Sequence, residues 1–292
     1  MKKNNSLLLS IALGATLLWS CGGDPGTEQK GIEDNNEAVV EDVVVEIEND
    51  EDADFIIPSA LQIHTIFKTS GLKYIYGITN APENTSKYLS KFEKLLNFGV
   101  YSADMFYCVL NDQTQLSTQY LKSIRTLSVE TGMSSIFNSG PILDRFEANI
   151  GNKDSVLSIM LEFHEKTDIL IAKNNEEHTA MVIFTGAWLE GMYIGLDAAR
   201  NSENEILRER LIEQMTIIPN LIKGLKIQPN KNDQTEALLA QVVALSDYFN
   251  SIEGLTGADE YSYDVTVLET SNYVEFYNQI SVIRNEITKA KP

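Results

Sequence analysis

From residue 55 onward, apolar side chains recur three and four apart, the period of amphipathic helices. Ile57-Pro58-Ser59 marks the entry, with Ser59 as N-cap and Gly71 closing a first short helix. Leu72 to Ile78 is a brief apolar connection closed by Asn80-Ala81-Pro82. A long helix is predicted from about Thr85 to Leu110. A second opens on the capping-box form Asp112-x-x-Gln115 and stops near Gly132. A third covers about 135–149, interrupted or preceded by Pro141, and a fourth about 153–173. Asn174-x-x-Glu177 caps a helix to about Arg200. Ser202-x-x-Glu205 opens another, with Leu207, Leu211, Met215, Ile218, Ile222 and Leu225 as its stripe. Pro219 should bend that helix, and Gly224 followed by Pro229 should end it. Asp233-x-x-Glu236 begins the next, with a stripe of Leu238, Val242, Leu245, Phe249 and Ile252. After a polar loop from Gly254 to Asp264 and the ambiguous run Val265–Leu268, Asn272-x-x-Glu275 caps a last helix to about Lys289. The expected fold is all-α, a multi-helix bundle or array of about nine helices with no convincing sheet.

Between Ala180 and Leu196 only Thr185 and Glu190 are clearly polar, so this helix is expected at the centre. Its mid-span Glu and three glycines make it a poor membrane span. It echoes the Thr85–Leu110 segment at an offset of 87: Leu95-Leu96 with Val182-Ile183, Gly99 with Gly186, Tyr101 with Trp188, Met105-Phe106 with Met192-Tyr193. The helices that follow match at an offset of 91, through Leu121 with Ile212, Ile124 with Met215 and Leu127 with Ile218. Gly99 to Ala103 and Gly191 to Gly195 are small-xxx-small spacings that suit a close helix crossing. These matches point to a duplicated helical hairpin whose central helices meet; the alternative is the ordinary similarity of any two buried helices.

The first 54 residues differ in kind. Lys2 and Lys3 precede an apolar run, Leu7 to Leu18, whose twelve residues reach roughly 18 Å as a helix, short of a ~30 Å hydrocarbon core. It reads as a secretion signal. The run ends in Leu18-Trp19-Ser20-Cys21, which resembles the lipobox of bacterial lipoproteins. That resemblance implies cleavage between Ser20 and Cys21 and acylation of Cys21, with Trp19 departing from the usual small residue. Residues 22–54 carry thirteen acids and one lysine, so most of the net charge of −19 sits in a self-repelling spacer. Within it, the Val39–Ile47 run could form a short strand, but without a partner among so many carboxylates it is not expected to persist. The expected organisation is a signal peptide at 1–20, a lipidated Cys21 and acidic tether at 21–54, and an all-helical domain at 55–292. An acidic domain without basic patches argues against nucleic acid as a partner. With Cys21 acylated, Cys108 is the only other thiol, which leaves no intrachain disulfide.

Catalytic patterns are sparse. No Gly-x-Ser-x-Gly elbow, phosphate loop or dinucleotide fingerprint occurs, and no cofactor or metal is expected. His164 and Asp168 share a helix face without a third ligand, His178 lies in a helix first turn, and Cys108 sits in an apolar run. One constellation stands out. Asp104 and Glu190 are lone carboxylates among apolar neighbours on the paired helices, with Tyr101, Tyr107 and Tyr193 nearby in register. Buried there, each would have its pKa raised or need a partner such as Arg125, Arg145 or Arg200. Asp104, Glu190, Tyr101 and Tyr193 are therefore the candidate ligand-binding residues, with a structural ion pair as the alternative.

The lipobox, the Gly-Gly-Asp start and the acidic, Asn-rich tether resemble lipoproteins of Bacteroidota-type bacteria. Gly99-Val100-Tyr101-Ser102-Ala103-Asp104, Asn111-Asp112-Gln113 and Tyr120-Leu121 resemble a family of all-helical lipoproteins of that group, over about 30 residues. The resemblance implies an outer-membrane anchor facing the periplasm or the exterior and brings no activity. The expected function is non-enzymatic: an envelope scaffold or protein-interaction module, with the bilayer, through Cys21, and other envelope proteins as partners. A small-molecule binder with a pocket near Asp104 and Glu190 is the alternative, and an unrecognised hydrolase the third.

Overall fold

A computed structural model describes residues 45–46, 56–57, 60–138, 141–174, 177–255 and 263–289. The residues expected to form a signal peptide and lipobox, Ser20 and Cys21 included, and nearly all of the acidic segment lie outside the described residues. The fold is an all-α multi-helix array. Its eleven described α-helices are α1 (Ala60–Thr69), α2 (Lys91–Leu110), α3 (Thr114–Thr131), α4 (Ser135–Asn138), α5 (Ile142–Ala148), α6 (Lys153–Asn174), α7 (Glu177–Arg200), α8 (Glu205–Met215), α9 (Ile218–Lys226), α10 (Asp233–Asn250) and α11 (Thr270–Thr288). Val45–Glu46 and Ile56–Ile57 form a two-residue antiparallel bridge, so part of the Val39–Ile47 run, expected to lack a partner, pairs with the chain at the Ile57-Pro58-Ser59 entry.

The two helices beyond the expected nine come from breaks near prolines. Pro141 separates α4 from α5, and the chain turns at Thr216–Ile217 so that Pro219 falls in the first turn of α9, where its missing N–H costs nothing. Gly224 does not end a helix. It lies inside α9, packed so closely on α7 that a Cβ there would come within 2.4 Å of the Met181 side chain.

Several starts also move. Pro82–Lys87 is a 3-10 helix, and α2 begins only after Ser90, whose hydroxyl accepts from Glu93 N–H at 3.1 Å. The Glu93 carboxylate returns to the N–H groups of Leu89 and Ser90, at 2.7 and 3.0 Å, completing a capping box. Asp112 caps nothing: it takes a left-handed turn, φ 58°, between α2 and α3. Asn204 rather than Ser202 caps α8, accepting from Leu207 N–H at 3.1 Å. Asn232 caps α10, and Asn272 is the third residue of α11, accepting from Glu269 N–H.

Two helices form the axis of the array. Every residue of α2 from Leu95 to Leu110 is buried, as is nearly all of α7 between Met181 and Leu196. By length and composition α7 is apolar enough to cross a membrane, but here it is the helix on which α1, α2, α8, α9 and α11 converge. At the crossing of α2 and α7 the backbones touch. A Cβ on Gly99 would lie 1.8 Å from the Ile183 carbonyl oxygen, and one on Gly186 would lie 1.9 Å from that of Leu96. Both contacts obey the offset of 87, so exchanging the two helices maps the crossing onto itself. The pseudo-twofold extends to the flanking aromatics: Tyr101 packs against Tyr120 of α3, and Trp188 donates to Gln214 O at the end of α8. It fades further out, since α3 lies along α2 whereas the main lateral neighbour of α7 is α11. Gly191 and Gly195 do not serve the α2 crossing. Their bare faces meet Ile63, His64 and Phe67 of α1, and Leu211 of α8.

Candidate functional site

Asp104 and Glu190 do meet. α11 runs against both helices, placing Arg284 and Tyr277 by Glu190 and Tyr193 of α7, and Arg284 and Ile287 by Asp104 and Asn97 of α2. α2 and α7 therefore run in the same direction and bring the carboxylates side by side just beyond the glycine crossing. Both are fully buried, at 0% exposure.

Their cationic partner is Arg284 of α11, not Arg125, Arg145 or Arg200. Arg125 is exposed, Arg145 pairs with Glu162, and Arg200 pairs with Asp197 and lies over the Tyr277 ring. Arg284 donates through Nε and Nη2 to the two Glu190 oxygens, each at 2.9 Å, a bidentate fork that fixes both planes. Nη2 also reaches Ile78 O at 3.3 Å, and the guanidinium lies 4.6 Å above the Tyr193 ring. Arg284 was hidden in an otherwise apolar seam of Tyr273, Phe276, Ile280, Ile283 and Ile287. A lone arginine at a core position of an amphipathic helix was the available signal.

The remaining groups lock the irregular segment Leu72–Pro82 to the helices. Asn80 N–H donates to Asp104 Oδ2 at 3.1 Å, and Tyr120 OH donates to Asn80 O at 2.9 Å. Tyr101 OH donates to Ala81 O at 2.9 Å; Tyr107 OH accepts from Ile75 N–H and donates to Lys73 O. Where this segment turns inward, at Leu72, Ile78 and Asn80, its peptide groups need partners, and side chains of α2, α3 and α11 supply them. Of the predicted site residues, Asp104, Glu190, Tyr101 and Tyr193 are thus brought together, with Asn80, Tyr88, Tyr120 and Arg284 added.

Burial, reinforced by the neighbouring Glu190, holds the Asp104 carboxyl well above the usual carboxylate range. Burial alone would lower Arg284, but Glu190 outweighs it and keeps the guanidinium charged. Burial also raises the Tyr101 and Tyr120 phenols, and pushes Tyr88 up to about 12, so all three remain hydrogen-bond donors.

The other titratable candidates lie apart. His64 on α1 is buried with neither ring nitrogen partnered, and desolvation lowers its pKa to about 3. His164 and Asp168 approach at 3.5 Å on α6, and burial raises Asp168. Cys108 is buried, its thiol pushed up by desolvation and therefore unreactive. Among the described residues no three His, Cys, Asp or Glu side chains converge as metal ligands. No family model matches the chain, and no curated protein or solved structure matches it either.

Proposed function

We propose that this chain is a lipid-anchored protein of the bacterial envelope, held at the membrane by acylated Cys21 and an acidic spacer. Its helical array acts there as a non-enzymatic scaffold or protein-interaction module. The observation that carries this reading is how the central polar groups are used: Arg284 occupies both oxygens of Glu190, and the tyrosines around it hold loop carbonyls. The polar interior thereby joins α2, α3, α7 and α11 to the Leu72–Pro82 segment. A small-molecule pocket at Asp104 and Glu190 is the second reading, favoured by one observation: Asp104 Oδ1 receives no hydrogen bond.

Fractionation of cells labelled with an alkynyl fatty acid tests the anchor. The native chain should carry label and require detergent for extraction, whereas Cys21→Ser should lose the label. Label persisting on Cys21→Ser refutes acylation at that cysteine. Cross-linking in intact cells then tests the scaffold role, with discrete adducts to envelope proteins expected. Native mass spectrometry separates the second reading, because a ready-bound ligand gives an added mass that Asp104→Asn with Glu190→Gln removes.

A further inference from the structure

The cluster between α2, α7 and α11 is short of donors. Asp104 lies against the Glu190 carboxyl, accepts a single backbone N–H at Oδ2, and has no donor at Oδ1. The guanidinium is committed to Glu190 in bidentate geometry. Other titratable groups around Asp104 are Tyr101, Tyr107 and Cys108 on its own helix, Tyr120 of α3 and Tyr88 of the preceding loop, while Tyr193 of α7 lies by Glu190 and Arg284. The Tyr101, Tyr107 and Tyr120 hydroxyls donate to Ala81 O, Lys73 O and Asn80 O. On α1, His64 packs its ring 5.9 Å from that of Tyr107, with both nitrogens unpartnered. Two fully buried carboxyl groups thus adjoin with one guanidinium and no other donor group between them, an arrangement stable only if one carboxyl is an acid.

We propose that Asp104 and Glu190 share a single proton, carried on Asp104 and donated in a hydrogen bond to Glu190, and that this proton is a ligand of the folded domain. Folding at neutral pH then takes one proton from water. Releasing it leaves two carboxylates facing one guanidinium in a closed site, which drives α2 and α7 apart beyond their glycine crossing. This inference does not depend on the envelope role. A bound proton accounts for the donorless Oδ1 without a small molecule.

The sign follows from linkage. A carboxyl raised in the folded state contributes stability that is complete below its unfolded pKa and is lost as pH rises through the folded pKa. The test uses the full chain in mild detergent, native and Asp104→Asn, whose amide N–H can replace the acid. Infrared spectra at pH 7, with and without carbon-13 aspartate, should show a protonated-carboxyl band that shifts on labelling and is missing in Asp104→Asn. Between pH 6 and 8 the urea unfolding constant of the native chain should rise about tenfold per pH unit relative to Asp104→Asn. That window stays below the unfolded cysteine pKa of about 8.5, so Cys108 does not contribute. If the variant does not fold, the label-shifted band of the native chain decides. Absence of that band at pH 7, or superimposable pH slopes, overturns the proposal.

Discussion

The glycine crossing gives the sharpest test of the fold. Replacing Gly99 by alanine adds one methyl group facing the Ile183 carbonyl, 1.8 Å away, with Ala187 N at 2.8 Å. Side-chain Cβ atoms essentially never come closer than 3.0 Å, so the helices must part by more than an ångström. The obstructing atoms are backbone, and no rotamer change relieves them. A gap of 0.5–1 Å already forfeits about a quarter to a half of each dispersion contact, and α2 and α7 are the most extensively packed helix pair among the described residues. Overpacking of this kind costs about 1–3 kcal/mol, and a backbone clash lies at or above the upper end. The better helix propensity of alanine returns about 1 kcal/mol.

Urea denaturation should therefore show Gly99→Ala and Gly186→Ala each destabilised by a net of about 2 kcal/mol or more. The double variant should lose less than the sum, because helices already parted by one methyl accommodate the other. Gly191→Ala meets side chains only, Ile63 at 3.2 Å and the His64 ring at 3.8 Å, and Gly151→Ala meets nothing within 4 Å. Both should stay within about 1 kcal/mol of the native chain. Full stability in Gly99→Ala, or equal losses at Gly99 and Gly151, would refute the crossing.

Two further outcomes follow from the buried ionisable groups. Arg284→Met leaves Glu190 unpaired in the interior and should cost about 3–5 kcal/mol, whereas Arg200→Met, at a partly exposed pair, should cost well under that; equal effects in thermal unfolding would sink the assignment of the core ion pair. His64 is neutral when folded because its pKa is lowered to about 3, so stability is complete above the unfolded value near 6.5 and declines as pH falls toward 3. Two pH units below that unfolded value, this one residue should cost about 2.7 kcal/mol, a hundredfold in the unfolding constant. His64→Leu should flatten that limb, and an unchanged acid limb in urea titrations would show that His64 finds a partner or water.

What the sequence conveyed, and what it withheld, divides by the range of the interaction. Helix number and order were legible because each stripe is a local property: Leu238, Val242, Leu245 and Phe249 are buried as their spacing predicts. Starts were less legible, because several Asp, Asn and Ser residues compete to cap one helix. Ser90 won over Thr85 through its reciprocal bond with Glu93, and Asn204 over Ser202 because its amide also reaches Ser70 O at 2.7 Å, a contact 134 residues away. The same distinction governs the site. Asp104 and Glu190 were visible as isolated charges in apolar helices, and the offset of 87 placed them at nearly equivalent heights in two helices that run the same way. Arg284 was not, because its pairing lies 94 residues from Glu190 and depends on α11 lying antiparallel to α7. An offset between two helices predicts their mutual register only if they cross as equivalents, and Gly99 and Gly186 meet that condition: each lacks a side chain where the opposite helix presents a carbonyl, that of Ile183 or of Leu96. The helix that supplies the counter-charge has no such twin, so no internal comparison points to it. It is fixed instead by the charge a crossing of two carboxylates leaves uncompensated, which required one cation from outside the pair.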